Sequence, residues 1–143
     1  MSFANIIIIQ NLEGLNNLTK LCLDNNIIER IENLEHLVNL QWLDLSFNKI
    51  KVIEGLEELT NLTDLSLYKN NISEINEGLD SCTKLNVLSL GANEIVSYEP
   101  MVTILLKFKN LNVLNLMNNE VCKDPDYKTY IIAHLRQLKY LDY

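Results

Sequence analysis

One eleven-residue phrase recurs along this chain and leaves few folds open. Leu18-x-x-Leu21-x-Leu23-x-x-Asn26-x-Ile28 returns at Leu40 (Leu43, Leu45, Asn48, Ile50) and at Leu62 (Leu65, Leu67, Asn70, Ile72). It returns again at Leu85 (Leu88, Leu90, Asn93, Ile95) and at Leu111 (Leu114, Leu116, Asn119, Val121). Successive starts lie 22, 22, 23 and 26 residues apart. A unit this short cannot bury its own apolar face, so the units must stack and share one continuous core.

Each position in the phrase has a physical task. The second and third leucines alternate along a short strand and point into the stack, while their neighbours point the opposite way. The Asn ends the strand, and its amide can pair backbone groups that the narrow turn leaves open. The five residues Asn26, Asn48, Asn70, Asn93 and Asn119 are therefore expected to form a structural ladder. Beyond the strand the apolar period becomes three: Ile28, Ile31, Leu34, Leu37, Leu40, then Ile50, Ile53, Leu56, Leu59, Leu62. That period suits a tight, 3₁₀-like return with one stripe inward. Between the stripes stand Glu29, Glu32, Glu35, Glu54, Glu57 and Glu58, read as a solvated acidic back. The pattern is a leucine-rich repeat. It predicts an α/β solenoid with short parallel strands on the concave face, 3₁₀ or helical returns on the convex face and a C-terminal helical cap.

The expected organisation is one domain over 1–143, with a partial first repeat at 1–17, five full repeats at 18–121 and a cap at 122–143. Projecting the period backwards puts Met1 at a strand leucine, Ala4 at the Asn site, and Ile6, Ile9, Leu12 and Leu15 on the inward stripe. Ile7 and Ile8 fall outside it and are expected to be exposed at an open edge, from which a natural protein would extend upstream. In the longer fourth repeat, YEPMVTILLKF predicts a convex helix from near Pro100, with Met101, Ile104, Leu105 and Phe108 inward. After the last repeat, Asp124 is a plausible N-cap with Pro125 at the first helical position. Tyr127, Tyr130, Ile131, His134 and Leu135 then share a helical face that would seal the last turn. Leu138 and Leu141 begin a final half-turn.

Catalytic material is scarce. His36 and His134 are the sole histidines, and neither has a Cys or His at ligand spacing. Four glycines leave no phosphate-cradling loop, and the carboxylates lie on an open curved surface. No enzyme, cofactor or metal is expected. Cys22, Cys82 and Cys122 are odd in number and widely spaced, which reads as reduced thiols. The sequons at Asn17, Asn61 and Asn71 follow from the repeat phrase and carry no weight without a secretory signal. A formal charge of −7 provides no electrostatic footprint for nucleic acid and opposes binding to anionic lipid. No run of apolar residues is long enough to span a bilayer. The expected setting is cytoplasmic.

The concave face is the binding candidate. Strand parity places Lys20, Cys22 and Asp24 there, then Trp42, Asp44 and Ser46, then Asp64, Ser66 and Tyr68. Val87, Ser89 and Gly91 follow, then Val113, Asn115 and Met117, and the cap adds Tyr140 and Asp142. The site residues expected to contact a protein partner are Lys20, Asp24, Trp42, Asp44, Asp64, Ser66, Tyr68, Val87, Ser89, Val113, Asn115, Met117 and Tyr140. Large apolar groups beside three aspartates predict a partner segment with apolar anchors and Lys or Arg.

The repeat pattern with its three-spaced return resembles the SDS22-like class, which implies a protein-binding module and allows a regulatory module for a phosphatase or another enzyme. The stretch LDNNIIERIENLEHLVNLQWLDLSFNKIKVIEGLEELTNLTDLSLYKNNIS, the phrase VLSLGANEI and the closing DYKTYIIAHLRQLKYLDY resemble the repeat domain of dynein regulatory complex subunit 3. Trp42, LDLSFN and YLDY carry most of that specificity, and Glu120 departs from it where that family often has Pro. The resemblance implies a structural subunit of the nexin–dynein regulatory complex, which links doublet microtubules in motile cilia and flagella and helps regulate sliding. It also implies a coiled coil after the cap, protein partners with helical or coiled-coil segments, and residence in the cytoskeleton of the axoneme.

Overall fold

The computed structural model describes residues 3–143, so the expectation for Met1 lies outside the described residues. Six short strands form one sheet in sequence order: β1 (Lys20–Cys22), β2 (Trp42–Asp44), β3 (Asp64–Ser66), β4 (Val87–Ser89), β5 (Val113–Asn115) and β6 (Tyr140–Leu141). All neighbours pair in parallel, and the register matches repeat to repeat, with Leu21, Leu43, Leu65, Leu88, Leu114 and Leu141 in one line. Backbone bonds carry the ladder past the strand ends, as in Leu23 N–H to Asp44 O (2.8 Å) and Leu45 N–H to Ser66 O (2.9 Å).

The asparagines form the ladder. Asn48 shows the pattern: its amide donates to the carbonyls of Leu23 and Leu45 (both 3.0 Å), and its Oδ1 accepts the Ile28 N–H (3.0 Å). Asn70, Asn93 and Asn119 repeat these contacts one turn further on, and all five ladder residues are buried. The residue before each ladder Asn lies in the left-handed region: Asn25, Phe47, Lys69, Ala92 and Asn118 have φ between 52° and 62°. This conformation swings the chain out of the strand and presents the next amide to the neighbouring turn. Gly55 answers a second tight spot, at φ +69°, where a Cβ would lie 2.3 Å from the Ile31 carbonyl oxygen.

The return stripes are buried as expected from Ile28 to Leu40 and from Ile50 to Leu62. The returns themselves are mostly not 3₁₀ helix. Their second halves are tandem i→i+3 turns, such as Leu37 N–H to Leu34 O and Leu40 N–H to Leu37 O (both 2.9 Å). Their first halves bond sideways, as in Lys49 N–H to Ile28 O (2.9 Å). Among the described residues, 3₁₀ helix occurs at Glu77–Leu79 and Glu120–Lys123. Tandem i→i+3 turns keep the same spacing of three as a continuous 3₁₀ helix, so the stripe holds without one. The acidic back is solvated, with Glu29, Glu35, Glu57 and Glu58 exposed, and Arg30 pairs with Glu54 at 3.0 Å.

Outside the regular returns, four placements differ from those the sequence predicts. Leu15, expected inside, is 44% exposed, because no described residue packs over its outer side. Helix α1 (Glu99–Leu105) buries Met101, Val102 and Leu105, and Phe108 follows it into the core; Val102 takes the inward place expected of Ile104, which is half-buried. Helix α2 (Tyr127–His134) starts two residues later than Asp124 and Pro125 suggested. Asp124 instead closes a turn before it, accepting the Asp126 N–H at 2.8 Å. Tyr127, Ile131 and Leu135 seal the last repeat, whereas His134 is exposed on the helix flank.

Replacing Asn48 by Ala strips four hydrogen bonds from buried partners. It should lower unfolding free energy by roughly 2–4 kcal/mol in urea denaturation, since buried groups left unpaired cost about 1–3 kcal/mol each.

Candidate protein-binding face

Parallel pairing turns the outward strand positions into rows. The first row runs Lys20, Trp42, Asp64, Val87, Val113, Tyr140, and the second runs Cys22, Asp44, Ser66, Ser89, Asn115. The third lies just past the strands, with Asp24, Ser46, Tyr68, Gly91 and Met117 in matching repeat positions. Lys20, Met117 and Tyr140 are exposed. Asp24, Trp42, Asp44, Asp64, Ser66, Tyr68, Val87, Ser89, Val113 and Asn115 are half-buried, because neighbours in each row shield one another.

Several side chains behave differently from their parity. Trp42 is half-covered rather than freely displayed. Ser46 is 6% exposed; its N–H donates to Asp44 Oδ1 (2.9 Å), its hydroxyl also reaches that oxygen, and the Ser46 and Ser66 hydroxyls are 2.7 Å apart. Asp142 does not face the sheet surface: its Oδ1 accepts the Leu116 N–H (2.7 Å) and the Tyr127 hydroxyl (3.4 Å), so it locks the cap to the last strand. Gly91 is buried because the Tyr68 ring occupies the space above it, where a Cβ would lie 3.0 Å from two ring carbons.

Phe47 escaped the strand-parity reading. It is 41% exposed, its ring centroid lies 5.5 Å from that of Tyr68, and the Lys69 ammonium sits 5.2 Å from its centroid. The left-handed φ of 56° turns this ring back toward the sheet surface. The signal was available, since Phe47 immediately precedes a ladder Asn, but alternation within the strand says nothing about a residue beyond the bend.

The acidic groups of the face are held locally. Asp64 Oδ2 accepts the Thr63 hydroxyl (2.6 Å), and Asp24 Oδ1 accepts the Cys22 thiol (2.7 Å). Cys22, Asp24 and Asp44 each bring one potential ligand atom within 4.8 Å of the others, a convergence that sequence spacing hides because it spans two repeats. The histidines lie elsewhere. His36 Nε2 is 2.7 Å from the Leu12 carbonyl, which can only accept, so Nε2 carries the proton. His134 stacks on Tyr130, with centroids 4.1 Å apart. None of Cys22, Cys82 and Cys122 is in a disulfide, and Cys82 is fully buried.

A curved parallel sheet of single-turn units bound by an asparagine ladder defines a leucine-rich-repeat solenoid. The chain belongs to the leucine-rich repeat family, whose model matches residues 28–143. Such folds are in general non-catalytic protein-interaction modules. Among curated proteins, it is 39% identical over 65 residues to human dynein axonemal assembly factor 1, a match covering 45% of this chain and 9% of that protein. The protein of the same name from Peromyscus californicus is 40% identical over 65 residues, covering 45% and 10%. The matched region therefore covers only about a tenth of these relatives. An internalin from Listeria monocytogenes superposes with TM-score 0.78 at 26% identity, covering 97% of this chain and 38% of that one. The Drosophila melanogaster SNF/U2A′ complex superposes at 0.60 and 28% identity, covering 99% and 70%. No helix among the described residues is long and apolar enough to cross a membrane.

Burial raises the Cys82 thiol from its ordinary 9.0 to about 11, with Glu57 adding to the shift. Burial and Asp142 likewise push the Tyr127 phenol up. The folded state thus favours the protonated thiol, so its stabilising contribution is full below pH 9 and falls as pH rises toward 11. Urea midpoints measured from pH 8 to 11 should decline, and Cys82→Ala should flatten part of that decline. In the native protein at pH 8, iodoacetamide should modify Cys82 far more slowly than Cys22.

Proposed function

We propose that this chain is a protein-binding scaffold of motile cilia and flagella, a structural subunit of the nexin–dynein regulatory complex. In this reading it resides in the axonemal cytoskeleton and receives helical or coiled-coil segments of neighbouring subunits on its concave face. It contributes position rather than chemistry to the linkage of doublet microtubules and the regulation of sliding. The observation that carries the reading is the continuous mixed surface running from Asp24 and Asp44 through Trp42, Asp64, Phe47 and Tyr68. Aromatic anchors beside carboxylates suit a partner helix with apolar side chains and Lys or Arg. The resemblance of Trp42, LDLSFN and YLDY to dynein regulatory complex subunit 3 supports the assignment to that complex.

A second reading is favoured by one observation, the 39% identity over 65 residues to an axonemal dynein assembly factor. There the same face would act in the cytoplasm, holding dynein components before they reach the cilium. Crosslinking mass spectrometry on ciliated cells separates the two. Retention on axonemes after detergent and salt extraction, with crosslinks to coiled-coil subunits, is the outcome expected of the first. Recovery confined to soluble cytoplasm would overturn it in favour of the second.

Trp42→Ala combined with Asp44→Asn should weaken partner binding at least about tenfold, given hot-spot tryptophans of roughly 2 kcal/mol or more. The Asn retains an oxygen for the Ser46 N–H while removing the charge, so circular dichroism and melting should stay near those of the parent. Undiminished binding by this folded variant would remove the concave face as the contact.

A further inference from the structure

Away from the strands, three aromatic rings line up where the start of α1 meets α2. Tyr98 and Tyr130 have centroids 4.6 Å apart at 39°, and Tyr130 and His134 are 4.1 Å apart at 25°. Tyr98 and Tyr130 pack half-buried against the core, whose fully buried residues at this end are Tyr127, Ile131 and Leu135, while His134 is exposed. They line an open groove with Ala133, and its rim carries the carboxylates of Glu99 and Asp126. No Lys or Arg lines it among the described residues. Asp126 stands at the N-cap of α2 but makes no capping hydrogen bond with its side chain. Asp124 lies alongside and accepts the Tyr98 hydroxyl at 3.3 Å.

We propose that this groove binds the guanidinium of an arginine presented by a partner polypeptide. The cation packs against the row of rings that Tyr98, Tyr130 and His134 form, and its forked N–H groups bond Glu99 and Asp126. Aromatic faces attract cations through their quadrupole, and carboxylates beside them add charge and acceptors. A guanidinium fits better than an ammonium because it is flat, weakly hydrated and presents several donors in one plane. The electrostatics agree. The Tyr98 phenol is pushed up, by burial first and then by Asp124, Asp126 and Glu99, so every charged group acting on it is a carboxylate. The small Ala133 side chain, three residues after Tyr130 on the helix, leaves the groove open to a flat group. This contact uses no strand residue, so it stands or falls separately from the concave-face reading.

The test titrates the full chain with a blocked Gly-Arg-Gly-Arg peptide, following assigned aromatic and methyl resonances by NMR. Matched peptides carry citrulline or lysine in place of arginine. Saturable shifts at Tyr98, Tyr130 and Ala133, with the Trp42 indole unmoved, are expected from the arginine peptide alone. Glu99→Gln with Asp126→Asn should weaken the effect at least about fivefold, and Tyr130→Leu should do the same by breaking up the row of rings. Both variants are checked for an unchanged amide spectrum. An equal response to citrulline, equally tight binding of the lysine peptide, shifts centred on Trp42, or full binding by the folded charge variant would each overturn the proposal.

Discussion

The amide of the ladder asparagine is the contact on which the rest of the molecule depends. Each of Asn48, Asn70, Asn93 and Asn119 donates to a leucine carbonyl of its own turn and to one of the turn before, and accepts an N–H from that earlier turn. The carbonyls of Leu23, Leu45, Leu67 and Leu90 each receive two such amides. A backbone that turns this sharply between buried leucines would otherwise leave polar groups dry and unpaired. The amide supplies those partners and fixes the spacing of adjacent turns at the same time. Among the described residues, no buried side-chain nitrogen or oxygen lacks a partner.

That fixed spacing is what turns a repeated sequence into a surface. Because every strand pairs in register, variation at the outward positions is read across the sheet as rows of dissimilar chemistry. Lys20, Trp42, Asp64, Val87, Val113 and Tyr140 stand side by side though they are spread over 121 residues of sequence. The inward positions are nearly invariant leucine and isoleucine because they answer to one shared core. The outward positions are free of that demand, so their identities vary from repeat to repeat. The cap works on a different plan: Tyr127 and Asp142 tie α2 and the chain end to β5, and the aromatic groove around Tyr130 lies on the outer side of that junction.

The strands, the ladder and the return stripes were legible because each rests on a local period that one buried face imposes. Errors fell where the period stops. Leu15 keeps the phase of the stripe yet is 44% exposed. Val102 displaced Ile104 because a helix of about two turns can rotate slightly in its seat without breaking an apolar pattern that runs MVTILL. Asp124 carries the right residue type for a cap, yet Pro125 and Asp126 spend one more turn in reversing the chain. Phe47 and the cover of Gly91 by Tyr68 depend on backbone torsions past the strand end, where alternation gives no instruction.

By itself, the sequence determined that the chain is a solenoid, which leucines face inward, and which asparagines join its turns, because stacking is the sole way for so short a unit to bury its apolar face. Tertiary structure decided how far each outward group is exposed and which groups from different repeats or helices meet. Trp42 half-shielded in its row, the Phe47–Tyr68 pair, the Tyr68 ring over Gly91 and the Tyr98–Tyr130 contact all arise from contacts between segments 20 or more residues apart or from bends between regular elements. Those depend on the curvature and fit of the whole stack, which no local period encodes.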